Sequence, residues 1–114
     1  MGLETIIEKD ARDYMRDLGG CSLKWVSPGN NGVPDRILSH INCGAFLIEF
    51  KAPGKKLRPD QILMCEELAS KGFRIYAGYD WRGVNSTKMA REIIDDEVLR
   101  VPHTHRRHPI VSGL

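Results

Sequence analysis

The chain has 114 residues, 41% of them hydrophobic and 28% charged, with a formal net charge of +2. That length holds one modest core without a second module, and that balance excludes a disordered chain. A charge so near zero excludes a globally basic nucleic-acid binder, so any basic surface must be local, and no stretch is apolar enough to span a bilayer.

The first fifteen or so residues predict an amphipathic helix. Leu3, Ile6, Ile7, Ala11, Tyr14, Met15 and Leu18 fall on one stripe, and Gly19-Gly20 ends it. Glu4 and Glu8 lie four apart at the edge of that stripe, and on a helix alone either reads as a solvated rim carboxylate. Cys21 to Val26 predicts a strand with Leu23 and Trp25 partly buried. Ser27 to Pro34 is a loop rich in residues that hold backbone close to a ligand. Arg36 to Ile41 and Ala45 to Lys51 then predict neighbouring strands joined by a turn at Asn42-Cys43-Gly44.

Alternation along the second of these strands puts Glu49 and Lys51 on one face and Phe46, Ile48 and Phe50 on the other. Asp35 opens the preceding strand, so two carboxylates and one ammonium converge. Two acidic oxygen donors beside a lysine suit a hard divalent cation and the hydrolysis of phosphodiesters. The plainer alternative is a solvated Glu-x-Lys face after an ordinary Pro-Asp turn. Charges set within so apolar a run raise the site to even standing with that alternative.

Ala52-Pro53-Gly54-Lys55-Lys56 is a turn whose Lys55 and Lys56 are either solvated or in contact with phosphate at the mouth of the site. Pro59 suits the first turn of a second helix, running to about Lys71 with Gly72 as its stop and Ile62, Cys65, Leu68 and Ala69 as its buried stripe. Phe73 to Tyr79 alternates as a further strand. Asn85-Ser86-Thr87 can cap a helix through about Glu97, with Met89, Ile93 and Ile94 apolar and Asp95-Asp96-Glu97 read as solvated surface. Residues 101–114 form a basic tail after a domain of residues 1–100. Its Arg106 and Arg107 are candidate DNA contacts, and His103, His105 and His108 are expected to be solvated or DNA-facing rather than metal ligands. Cys21, Cys43 and Cys65 are widely spaced and read as reduced, buried thiols of an intracellular protein, without a zinc site.

Lys24-Trp25-Val26-Ser27-Pro28-Gly29, Gly32-Val33-Pro34-Asp35-Arg36, Ile48-Glu49-Phe50-Lys51-Ala52-Pro53-Gly54 and Gln61 together resemble the VRR-NUC family. That family is the virus-type replication-repair branch of the PD-(D/E)xK nuclease superfamily, and the similarity runs from about the first helix to near Tyr79. The resemblance implies an α/β fold with a restriction-endonuclease-like core, a mixed central β-sheet flanked by helices. It implies a DNA endonuclease dependent on Mg²⁺, with Mn²⁺ as a substitute.

Asp35, Glu49 and the backbone carbonyl of Phe50 are then the expected metal ligands. Glu8, eleven residues before Gly19, matches the first-helix glutamate of related nucleases better than Glu4 does. Gln61 is expected near substrate phosphate or the nucleophilic water. Lys51 is expected to offset charge at the reacting phosphorus rather than act as a general base, because surrounding carboxylates oppose the lowered pKa a base would need. The length is that of stand-alone phage-type members, which implies a cytoplasmic homodimer cutting branched DNA such as four-way (Holliday) junctions. A less selective nicking or flap nuclease is the nearest alternative. A catalytically idle DNA-binding module of the same fold is another, disfavoured because every metal-site residue is present.

Overall fold

The computed structural model of the protein describes residues 2–113. Helix α1 spans Leu3–Asp17. Ile7, Ala11 and Met15, spaced by four, form its buried line, whereas Leu3 and Leu18 overhang at its ends and Ile6 lies exposed at its edge. The helix stops where Gly19, at φ +88°, and Gly20 donate to Arg16 O and Met15 O at 2.9 Å each. This paired termination needs a left-handed residue, which glycine supplies without strain.

Strands β1 (Cys21–Lys24), β2 (Arg36–His40), β3 (Gly44–Ile48) and β4 (Ile75–Tyr76) form one sheet in that order. The first three run antiparallel in succession, and β4 is parallel to β3. Parallel neighbours require a crossover, and helix α2 (Pro59–Ser70) supplies it. Helix α3 (Thr87–Val98) follows, capped where Ser86 Oγ accepts from the Met89 N–H at 3.0 Å.

The sheet is the middle of three layers. Phe46, Ile48 and Phe50 join Ile7, Met15, Tyr76 and Ile93 in a core under α1 and α3. Leu47 points the other way and joins Leu57, Cys65, Ile75 and Ala77 under α2. Helices thus cover both faces of a mixed sheet, an α/β architecture consistent with a restriction-endonuclease-like core.

The strands are shorter than their alternation predicts. β1 is an edge strand, so Leu23 is 60% exposed, and Trp25 lies beyond it, half-buried, 6.3 Å from the Phe73 ring. The predicted strand from Phe73 to Tyr79 is reduced to Ile75–Tyr76. After it the chain turns through Asp80 and Trp81, both left-handed at φ +51° and +57°, and brings Val84 back beside Phe50. The three cysteines are free, but only Cys65 is buried: Cys43 is half-buried and Cys21 exposed.

Two further expectations need correction. Asp96 and Glu97 are buried rather than solvated. Glu97 takes Arg74 at 3.1 Å, the Tyr76 hydroxyl at 2.7 Å and Arg106, and a fully buried charge persists only with such partners. The basic tail is likewise docked on the core, and Leu114 lies outside the described residues. The Val111 N–H donates to Ile75 O at 2.8 Å, and Arg107 pairs with Asp96 at 2.8 Å.

Candidate active site

Asp35 and Glu49 meet at one end of the sheet because β2 and β3 pair in antiparallel register, Arg36 opposite Ile48. Asp35 directly precedes the first of these and Glu49 directly follows the second. Asp35 Oδ2 accepts from the Phe50 N–H at 2.9 Å, which ties the two chain segments together beyond the last strand pair. Glu49 is held by its own backbone, donating to Tyr76 O at 3.0 Å and accepting from the Val84 N–H at 2.9 Å.

Only 1% of Glu49 is exposed. Its Oε1 faces Gln61 Nε2 at a long 3.5 Å, and its Oε2 is buried without a donor. Burial pushes this carboxyl up to about 10, and the Asp35 charge adds to the rise, while Lys51 opposes it. The group therefore holds a proton at neutral pH unless a cation takes its place. The same pair, with burial as the larger cause, pushes the Cys65 thiol behind it up to about 12.

Gln61 is buried in the first turn of α2. Its Oε1 accepts from the Arg58 N–H at 2.8 Å, closing the first turn of α2, and this bond turns its amide nitrogen toward Glu49. The loop before Asp35 packs on that same turn. Gly32, at φ +82°, approaches so closely that a Cβ there would stand 2.6 Å from Asp60 O. Lys51 is fixed at its base by a 3.2 Å bond from its N–H to Val84 O and by the buried Gly83 against its stem.

Glu8 and Glu4 have different partners. Glu8 accepts from Arg36 Nε at 2.8 Å in a buried ion pair, with Lys24 Nζ at 3.9 Å. Glu4, one turn earlier, faces the carboxylate pair. Burial raises its pKa, Asp35 raises it further, and Lys51 and a hydrogen bond from the Ala52 backbone pull it back. Its neighbours are thus the residues flanking the site, whereas the Glu8 charge is committed to Arg36. The resemblance favours Glu8, but the structure commits Glu8 to Arg36 and sets Glu4 beside Asp35 and Lys51; the Arg36 of the Pro-Asp-Arg run was the available signal.

Lys55 and Lys56 are exposed on the turn that follows Lys51. Arg106 and Arg107 are not free in the same way, being spent on Glu97, Asp96 and Glu92. Among the described residues no three His, Cys, Asp or Glu side chains form a ready cage for a metal ion. A Mg²⁺ ion needs less, being held through one or two carboxylates with the rest of its shell left to water and substrate phosphate. The unpartnered Glu49 oxygen beside Asp35, all hard oxygen, fits such an ion.

No protein-family model matches the chain. It is 39% identical over 72 residues to the protein named "Putative nuclease p44" of Acyrthosiphon pisum secondary endosymbiont phage 1, a match covering 63% of this chain and 77% of the phage protein. The chain belongs to the same family as that phage protein. Wherever a stretch of that length lies in this chain it must include residues 43–72, so β3, Glu49, Lys51 and Gln61 fall inside the similarity to this phage family. No helix among the described residues is long and apolar enough to cross a membrane.

Proposed function

We propose that the protein is a metal-dependent DNA endonuclease of the VRR-NUC type. The observation that carries this reading is Glu49, a buried carboxyl with an orphaned oxygen beside a second carboxylate. The name of the phage relative supports nuclease activity. Asp35 and Glu49 would hold Mg²⁺ or Mn²⁺, with the Phe50 carbonyl as a backbone donor and Glu4, rather than Glu8, as the carboxylate contributed by α1. A bound divalent ion supplies Lewis acidity to a phosphoryl oxygen and to water.

The chain's own groups supply the rest. Lys51 offsets negative charge developing at phosphorus, and its stem is packed so that little reorganisation is needed. Gln61 orients the Glu49 carboxyl and leaves α2 anchored behind it. Lys55 and Lys56 are available to the phosphates flanking the scissile bond.

The substrate we infer is branched DNA, four-way junctions above all, cut by a homodimer whose two sites make paired incisions. Purified protein incubated with Mg²⁺ and a panel of duplex, single-stranded, flap and four-way DNAs tests the activity, with chelator and Glu49→Gln as controls. Cleavage that persists in chelator or in that variant would sink the assigned chemistry. Light scattering beside the same panel tests the junction reading. A monomer without preference among the DNAs would leave the chemistry and remove the resolvase.

A further inference from the structure

Arg100 ends α3 in a conformation that side chains rarely adopt. It lies at φ +56°, its N–H donates to Glu97 O at 3.0 Å, and the Val101 N–H donates to Asp96 O at 2.9 Å. The same paired termination ends α1 at Gly19 and α2 at Gly72, where the left-handed residue is glycine. An arginine in this position carries a backbone strain that glycine would avoid, and strain of this kind points to a use for the side chain.

The Arg100 side chain lines a cavity of about 330 Å³ together with Arg74, Arg106, His103, Asn42 and Glu97. Glu97, fully buried, neutralises one of the three guanidinium charges. Arg74 is further fixed by Cys43 O at 2.7 Å, and Arg106 by Val101 O at 2.8 Å and the Tyr76 hydroxyl at 2.6 Å. Among the described residues, Arg74 Nη1, Arg106 Nη2 and the whole Arg100 guanidinium have no partner. Two of the guanidiniums are thus held in place, one is free to close, and two positive charges remain uncompensated. Planar forks gathered around one hollow match the oxygens of a phosphate group, and the hollow has room for one with its waters.

This hollow is not an extension of the carboxylate site. It sits at the β2–β3 turn, and Glu49 lies five residue steps of extended chain beyond Gly44, roughly 17 Å. We propose that it is a phosphate-binding site and that its occupant is a backbone phosphate of nucleic acid, remote from the scissile bond. The choice of occupant rests on the nuclease reading, whereas the phosphate site does not.

The test is the Arg100→Asn variant, since asparagine tolerates the left-handed backbone while removing the guanidinium. In chelator, inorganic phosphate is titrated into the wild type and the variant and followed by backbone amide NMR shifts. Labelled duplex is titrated separately by fluorescence anisotropy from about 50 to about 200 mM KCl. The expected result is saturable phosphate shifts around Arg74 and residues 100–106 that vanish in the variant. The variant's slope of log affinity against log salt should also be shallower by roughly one unit. Equal phosphate binding by the two proteins would overturn the site. Loss of phosphate binding with unchanged duplex affinity and slope would overturn the nucleic-acid occupant and leave free phosphate as the ligand. Wild type that binds phosphate through Arg100 yet neither binds duplex nor cleaves any DNA of the Mg²⁺ panel would uphold the site and fell the nuclease reading.

Discussion

The Phe50 N–H donates to Asp35 Oδ2 at 2.9 Å, so one carboxylate of the pair is oriented by the backbone that carries the other. The bond uses Oδ2 and leaves Oδ1 available to the proposed cation. Asparagine can accept the same bond through its amide oxygen, so the charge can be removed without disturbing the geometry. Asp35→Asn and Glu49→Gln are therefore expected to keep the fold, with melting temperatures no lower than wild type. Cleavage in Mg²⁺ should fall at least roughly 100-fold in each. Gel assays with matched melting curves check both halves, and a variant that cuts at near wild-type rate would refute the site.

The buried Glu49 also sets a pH dependence. Its folded pKa of about 10 lies above the ordinary value of 4.5, so between these values the folded chain holds a proton that the unfolded chain has lost. Its contribution to stability is fully present below the lower value and declines as pH rises toward the higher one. In chelator, wild type is expected to lose stability from about pH 5 to about pH 9, and Glu49→Gln to lose less. Urea unfolding at a series of pH values measures this. Parallel curves for the two proteins would contradict it.

Glu4 and Glu8 separate by their failures. Glu8→Ala strands the buried Arg36 guanidinium and is expected to cost about 3 kcal/mol of stability. Glu4→Gln removes a half-exposed charge from the edge of the site and is expected to leave the melting temperature nearly unchanged while lowering the cleavage rate. The reverse pattern would return the first-helix role to Glu8.

Glu97 is expected to hold the C-terminal segment on the core. Glu97→Ala leaves two arginines with no counter-charge in a largely buried network, a loss of about 3 to 5 kcal/mol and about 10 °C or more in Tm. Hydrogen exchange should then show residues 106–113 losing protection before the sheet does.

Gly83 positions Lys51. A Cβ at Gly83 would lie 2.6 Å from Lys51 Cγ, and the residue is at φ +74°. Gly29 has a similar φ of +81° with nothing within 4 Å. Gly29→Ala therefore reports backbone strain alone, about 1 to 2 kcal/mol. Gly83→Ala is expected to cost more stability and to depress cleavage beyond the fraction unfolded. Equal effects of the two substitutions would mean that the contact does not position the lysine.

Alternation from Phe46 to Phe50 was enough to say which side chains enter the core and which face Glu49, because strand geometry is local and has period two. The meeting of Asp35 with Glu49 was legible for the same reason, since a short turn leaves two adjacent strands little choice of partner. Glu4 and Glu8 were different. One turn of helix puts both on the same face, and only the packing of α1 on the sheet decided that Arg36 would meet Glu8 and leave Glu4 beside Asp35 and Lys51. Asp95-Asp96-Glu97 read as solvent-facing because acidic residues are costly to bury. That cost is offset here by Arg74, Arg106 and Arg107, which come from other parts of the chain. Burial of a charge depends on partners that meet only in the folded molecule, so no local pattern around Glu97 could announce it.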